Sequence, residues 1–284
     1  MALAYLALLG RIVLLGYERI IVKKLGSQSD SESAAFLFFA IATLFLLPFV
    51  FFAAKPMDYG FLKFVVFSSF IYSIAFILYV TSLSIGEASL VSPLYNFNVF
   101  FLLILTAIFL GESLSILKIM GLVLLVYGVS FLNKRQNIFL SLKSLLKDKA
   151  PLLMIICSLL IAIGRTIDGF AIKGVSPIIY AFNIYVGVSL FLFIYILFKK
   201  KLKHTLLLLK HKTSIAVIAG AVNSYAYLLL LAAFTRIEVS IAEPASMLGM
   251  IVTVVLAHFI FKEKIGNRLA AVLIMLLVTW LLFL

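Results

Sequence analysis

The sequence predicts an all-α membrane protein whose ten transmembrane helices form two inverted five-helix repeats. Three observations carry that prediction. Of 284 residues, 65% are hydrophobic and only 12% charged, and the mean hydropathy is +1.24. A soluble domain carries about a quarter charged residues, so no water-facing core could hide this much apolar surface. Apolar runs of about 20 residues, the length that crosses a ~30 Å hydrocarbon layer, recur along the whole chain. They lack the period-2 alternation of a membrane barrel. Finally, a constant offset of 151 residues matches Glu87, Ser89, Pro93 and Glu112 to Glu238, Ser240, Pro244 and Glu263. The register extends outward to Ser73/Ser224 and Leu122/Leu273.

In chain order, the runs lie at 3–22, 34–54, 60–83, 88–110 and 114–132, then at 151–172, 177–198, 213–234, 239–261 and 265–284. The first has no basic leader and is interrupted by Arg11, so it reads as a spanning helix and not as a cleaved signal. Pro151 and Pro177 stand where a helix begins and a missing N–H costs nothing. Gly26, Gly60, Gly86 and Gly111 punctuate the connections. Two connections are longer, 133–150 and 199–212; apolar residues at helical spacing between lysines make each an interfacial amphipathic segment or a solvated basic loop. The halves are therefore 1–135 and 151–284, with 136–150 as a basic interfacial linker.

The net charge is +13, but the position of the charges argues against nucleic acid. Most Lys and Arg lie between apolar runs, where they act as topology signals and lipid-headgroup contacts. Counting also the first five residues of the run that follows, the connections after helices 1, 5, 7 and 9 carry 16 of them, against 5 after helices 2, 4, 6 and 8. The positive-inside rule then puts both termini outside. An odd number of helices per half makes the halves antiparallel, the plan of many secondary transporters. The single cysteine, Cys157, lies in an apolar run and permits no internal disulfide.

Gly86-Glu87, then Ala88-Ser89-Leu90-Val91-Ser92-Pro93, a long apolar run, Gly111-Glu112 and Gly121 together resemble the EamA-like branch of the drug/metabolite transporter superfamily. The second copy runs from Val239-Ser240-Ile241-Ala242-Glu243-Pro244 to Lys262-Glu263. Gly16 to Lys23 and Ala162 to Lys173 resemble the family's first and sixth helices. The copies depart from the pattern where Lys262 replaces a Gly and Glu243-Pro244 replaces Ser-Pro. The resemblance implies a transporter fold, leaves the substrate open, and puts both termini in the cytoplasm, against the charge bias.

Charged groups at membrane depth are costly, about 2.5–3.5 kcal/mol each on insertion scales, and normally face a partner or a wet cavity. Helix 1 carries Arg11, Glu18 and Arg19, with 11 and 18 nearly on one face. Helix 6 carries Arg165 and Asp168, three apart and able to pair; an offset of 150 aligns Glu18 with Asp168. These groups either lock helices 1 and 6 as internal ion pairs or form a substrate or proton site between the halves. Glu243 stands beside Pro244, one turn into helix 9. Pro93 and Pro244 free the carbonyls of Ser89 and Ser240, giving either static kinks or gating points. Asn96, Asn98, Asn223, Tyr225 and Tyr227 supply either interhelical hydrogen bonds or the amide and ring contacts a polar organic solute needs. Glu112 and Glu263 are structural, satisfying N–H groups at the start of the next helix.

No cluster has metal-ligand spacing, no cofactor motif is present, and the enzyme motifs are missing. The expected function is a cell-membrane, multi-pass transporter of a small polar metabolite. It works by alternating access, coupled to protons or another gradient and not to ATP. Membrane lipids are its other partners, nucleic acid is not one, and a homo-oligomer is compatible with the sequence. The chemistry is expected where the copies differ, above all at Glu243. The alternative is a flippase or accessory scaffold for a lipid-linked sugar.

Overall fold

The computed structural model describes residues 2–54, 56, 58–111, 115–130, 132, 138–246, 248–264 and 266–281. Among them every regular element is helical: α1 (Ala2–Gly26), α2 (Ser31–Val50), α3 (Leu62–Ile85), α4 (Ala88–Leu94), α5 (Phe97–Phe109), α6 (Ile116–Ser130) and α7 (Ile138–Lys147), then α8 (Lys149–Ala171), α9 (Pro177–Phe198), α10 (Leu202–His211), α11 (Thr213–Phe234), α12 (Val239–Ser246), α13 (Gly249–Phe261) and α14 (Gly266–Leu281). α2, α3, α4 with α5, α8, α9 and α11 are each long and apolar enough to cross a membrane. α1 has the length but carries Arg11, Glu18 and Arg19 along it, and α13 is a shorter apolar helix. Large side chains such as Phe52 (90%) and Phe198 (88%) are exposed, as lipid-facing surface requires and water-facing surface does not tolerate in quantity.

The runs at 88–110 and 239–261, expected as single helices, each break in two. After Pro93 the amides of Tyr95, Asn96 and Asn98 bond to carbonyls three residues back, at 3.0–3.1 Å. Leu248 and Ile251 do the same after Pro244, at 3.2 Å. The helix tightens on the C-terminal side of each proline, later than the Ser89 and Ser240 carbonyls that the prolines were expected to free. A mid-helix 3₁₀ segment of this kind leaves carbonyls to be satisfied from elsewhere. Ser158 Oγ on α8 donates to Leu94 O at 3.2 Å and to Tyr95 O at 3.3 Å.

Packing has an internal two-fold pattern. α1 packs on α11 and α13, and correspondingly α8 packs on α3 and α5. α2 meets α11 as α9 meets α3, while the pairs α2–α9 and α6–α14 join corresponding members. The core therefore lies between the first five runs and the last five. Close approach is extreme where α1 crosses α13. A Cβ on Gly16 would stand 2.5 Å from the Gly249 carbonyl oxygen, and one on Gly249 would stand 2.5 Å from that of Ile12. Thr253 Oγ1 donates to Gly16 O at 3.0 Å across the same crossing.

The connections at 27–30, 86–87, 199–212 and 262–264 gather at one end, here the basic end. Lys212 Nζ donates to the carbonyls of Lys24, Leu25 and Ser27 at 2.9, 3.1 and 2.6 Å, capping the last turn of α1 where the helix dipole favours a cation. Asp30 caps α2 through the Ser33 amide at 2.9 Å and pairs with Lys201 at 2.6 Å; Lys201 also holds Glu32. At corresponding positions of the two copies, Gly111 (φ +70°) after α5 and Lys262 (φ +56°) after α13 both take left-handed backbone. The Gly-to-Lys departure in the second copy thus leaves the cap geometry unchanged.

Candidate substrate cavity

Six ionisable side chains, Arg11, Glu18, Arg19, Arg165, Asp168 and Glu243, are buried in the middle of this core, each no more than 4% exposed. Three are cations and three are carboxylates, so the set is neutral when every member is charged. Burying unpaired charge is prohibitive, and burying paired charge is tolerable only with good geometry and further hydrogen bonds. The six meet that requirement unequally.

Asp168 is saturated. Tyr180 Oη donates to its Oδ1 at 2.9 Å, Tyr227 Oη to Oδ2 at 2.8 Å, and Ser68 Oγ to Oδ1 at 3.2 Å. The Tyr72 hydroxyl donates to Oδ2 as well. Arg165 Nη1 lies 3.3 Å from Oδ2, as the i,i+3 spacing on α8 allows. Five donors from four helices use the carboxylate's full accepting capacity of about four lone-pair sites. Arg165 is itself clamped. Its guanidinium lies over the rings of Tyr72 and Tyr227, 5.3 and 4.7 Å from their centroids. Its Nε faces Glu243 Oε1 at 3.6 Å, an ion pair too long to be a hydrogen bond. Glu243 in turn accepts from Asn98 Nδ2 at 3.1 Å.

Glu18 differs. Among the described residues its hydrogen-bond donor is the Tyr79 hydroxyl, at 3.4 Å, and no cation lies within ion-pair distance. Arg11 Nε has no hydrogen-bond partner among the described residues. Glu18 and Arg11 line a narrow cavity whose room for water is about 20 Å³, on the order of a single water molecule in this closed posture. Arg165, Asn223 and the rings of Tyr72, Tyr79, Tyr95, Tyr185 and Tyr227 complete its wall.

The expected site residues therefore separate. Glu18, Arg165, Asn223 and Tyr227 line the cavity; Asn223 Oδ1 accepts from Tyr185 Oη at 2.8 Å. Asp168 and Glu243 stand behind the wall and hold Arg165. Arg19 is fully buried with its guanidinium over Tyr95, 5.2 Å from the centroid. Asn96 donates to Met250 Sδ at 2.9 Å and Asn98 to Glu243, so both bridge helices and neither lines the cavity. Tyr225 is not brought to the site. Two residues from Tyr227 on one helix is a turn of about 200°, and its ring packs edge-on against Phe45 and Phe49 of α2. The tyrosines of α3 were missed, although Tyr72, Phe76 and Tyr79 follow the i, i+4, i+7 spacing of one helix face.

Glu263 has a structural setting different from the one expected. It accepts from the amides of Ala88 at 3.0 Å and Ser89 at 2.7 Å and from Ser89 Oγ at 2.6 Å. It thus caps α4 in the first half and not the following α14, because the two-fold packing sets the α13 terminus beside the start of α4. Lys23 Nζ pairs with it at 2.6 Å and also donates to Gly86 O at 2.8 Å. Arg268 pairs with Glu87 at 2.5 Å and donates to Ser89 Oγ, which closes the basic end with a cross-half latch. Glu112 lies outside the described residues, and of Pro244 only the backbone is described. No group of three His, Cys, Asp or Glu among the described residues could hold a metal.

A model of the EamA-like transporter family matches residues 2–134 and again 148–284. The chain belongs to the EamA-like transporter family. The family is part of the drug/metabolite transporter superfamily, and this member is a multi-pass, membrane-transporter-like protein with the family's two-repeat architecture. No curated protein matches it in sequence. A solved crystal structure, titled only as that of a protein, is similar across 98% of this chain and 95% of its own, with a TM-score of 0.64 at 12% identity. At that identity the likeness shows the fold alone.

Proposed function

We propose that this EamA-like protein is a ten-span carrier of the cell membrane that moves a small zwitterionic metabolite by alternating access between two inverted five-helix halves. The observation that supports this reading is the unequal satisfaction of the buried charges. Asp168 accepts from four hydroxyls and from Arg165, whereas Glu18, which faces the cavity, accepts one long hydroxyl contact, and Arg11 Nε beside it has no hydrogen-bond partner among the described residues, a condition that Arg165 Nε and Glu243 Oε2 share. A buried polar group left short of partners costs about 1–3 kcal/mol, more when charged, and a solute that supplies those partners recovers that cost. A ligand carboxylate suits Arg11, a ligand ammonium suits Glu18, and the tyrosine rings suit the apolar or cationic parts between. The two residues are seven apart, about 10 Å of helix, a gap that the Arg11 side chain shortens to the span of a small zwitterion. Transport is gradient-driven, with Glu18 as the group that exchanges a proton.

The test is a thermal-stability screen of purified protein. Amino-acid-like zwitterions are compared with their methyl esters, which lack the carboxylate, and their N-acetyl derivatives, which lack the ammonium. Stabilisation by the zwitterion alone is expected. Arg11→Gln should abolish the preference over the ester and Glu18→Gln the preference over the N-acetyl form. Equal shifts from all three ligands would overturn the reading. Stabilisation by lipid-linked sugars only would favour a flippase.

A further inference from the structure

The far end of the bundle, opposite the basic loops, holds a second recess with a different chemistry. Phe64, Leu105, Phe109, Ile163, Ile167 and Phe170 line an apolar groove of about 330 Å³ on the flank where α3, α5 and α8 meet. Ile163 to Phe170 cover two turns of α8, about 10 Å along the axis. The groove opens sideways, since Phe109 is 66% and Phe170 53% exposed. At Leu110 it adjoins a second recess, formed by the ends of α5, α8 and α11 and lined by Lys173 and Arg236. Gly169 keeps the neck between them thin, because a Cβ there would stand 2.5 Å from Val239 and 3.1 Å from Leu110.

Charge distribution decides the occupant. The far end has few cations, yet three of them converge on this flank. Lys173 and Arg236 are exposed and have no ion-pair partner among the described residues, and Lys63 Nζ lies 5.1 Å from the ring centroid of Phe64 at the groove wall. Glu238, the acid on the rim, already accepts from Ser240 Oγ at 3.3 Å. An apolar slot that leads lengthwise to a cationic mouth matches an amphiphile with a chain and an anionic head. A basic residue near the membrane surface attracts such headgroups, while the groove takes methylenes that a soluble anion does not have.

We propose that this flank is a binding site for an anionic phospholipid, with an acyl chain in the α3–α5–α8 groove and the phosphate on Lys173 and Arg236. The site is separate from the central cavity and shares none of its lining residues.

The experiment uses the full chain, delipidated in neutral detergent and then given phosphatidylglycerol, phosphatidylcholine or inorganic phosphate. Thermal denaturation and native mass spectrometry provide the readouts. Phosphatidylglycerol should raise Tm by several degrees and remain bound through mass analysis, while phosphatidylcholine and phosphate should do neither. The exposed-site double variant Lys173→Gln/Arg236→Gln, which disturbs no described ion pair, should lose the phosphatidylglycerol effect while keeping the lipid-free Tm. Ile167→Trp, which fills the groove, should lower lipid retention with the cationic mouth intact. Equal effects of the two lipids, a phosphate effect as large as that of phosphatidylglycerol, or an undiminished preference in the double variant would each overturn the proposal.

Discussion

Glu18 and Asp168 stand at matching positions in the two repeats, on α1 and α8, yet their surroundings differ completely. Asp168 receives four hydroxyl hydrogen bonds and an arginine. Glu18 receives one long hydroxyl contact and faces a cavity. The two acids align at an offset of 150 residues along α1 and α8, and their neighbours set them apart. The tyrosines of α3, α9 and α11 converge on Asp168 and make it a structural keystone. Among the described residues only Tyr79 donates to Glu18, which in the proposed function leaves that carboxylate to a solute.

Removing the keystone charge is the sharpest way to break this comparison. Asp168→Asn turns an acceptor-only group into one that donates on one side, strands hydroxyls of Tyr72, Tyr180 or Tyr227 and takes the counter-charge from Arg165. Breaking a buried pair in this way costs about 3–5 kcal/mol, so the variant should largely fail to yield folded protein in size-exclusion profiles and thermal melts. A variant as stable as the parent would erase the distinction. Glu18→Gln is the counterpart. It should change stability by no more than about 1 kcal/mol, with a normal melt, and yet abolish solute uptake into proteoliposomes.

The basic end extends the comparison to pH. Burial of Glu263 works against its ionisation, but hydrogen bonds from Lys23 and Ser89 outweigh it and hold the carboxyl below its ordinary value. Asp30 behaves alike, with burial opposed by Lys201 and by the Ser33 amide and hydroxyl, and the net direction is also downward. A carboxyl depressed in the folded state stabilises fully above its unfolded pKa, and the contribution disappears as pH falls through the folded pKa. Acidification below about pH 4.5, the region of unperturbed carboxylates, should therefore loosen the basic end. Glu263→Gln should lower Tm at neutral pH and flatten its acid limb, as read by melts between pH 3 and 7. An unchanged acid limb would show that the latch is not what titrates.

The smallest effect is at the paired caps. Gly111 adopts left-handed backbone without penalty, whereas Lys262 adopts it against a cost of roughly 1–2 kcal/mol for an L side chain. Lys262→Gly should raise stability by up to about 1 kcal/mol, and Gly111→Ala should lower it by about as much. Matched chemical-denaturation curves of the two variants would measure this asymmetry between the copies.

Much of this was legible in the residues. The offset between Glu87 and Glu238 already implied two related halves, and the i,i+3 spacing of Arg165 and Asp168 implied their pairing. Seven-residue spacing put Arg11 and Glu18 on one face, and both line the cavity. What pairs across helices could not be read from spacing within them. Nothing along α3 shows that Tyr72 donates to an acid on α8, and nothing near Lys262 shows that Glu263 caps a helix in the other half. The weight placed on Glu243 came from its being unmatched in the first copy. In three dimensions it is held by Asn98 and Arg165, behind the cavity wall. Tyr225 and Tyr227 looked equivalent in a polar stretch, and only helix rotation relative to α2 separates them.

Where α1 crosses α13, Gly16 and Gly249 bring peptide against peptide with no side chain between them. Helices ordinarily resist relative tilt because ridges of side chains seat in grooves; here the two glycines remove the ridge at the point of closest approach, with the Val252 side chain and the Thr253–Gly16 hydrogen bond beside it. A methyl group on either glycine would act as a wedge, able to hold the carrier in one posture without touching a single charge.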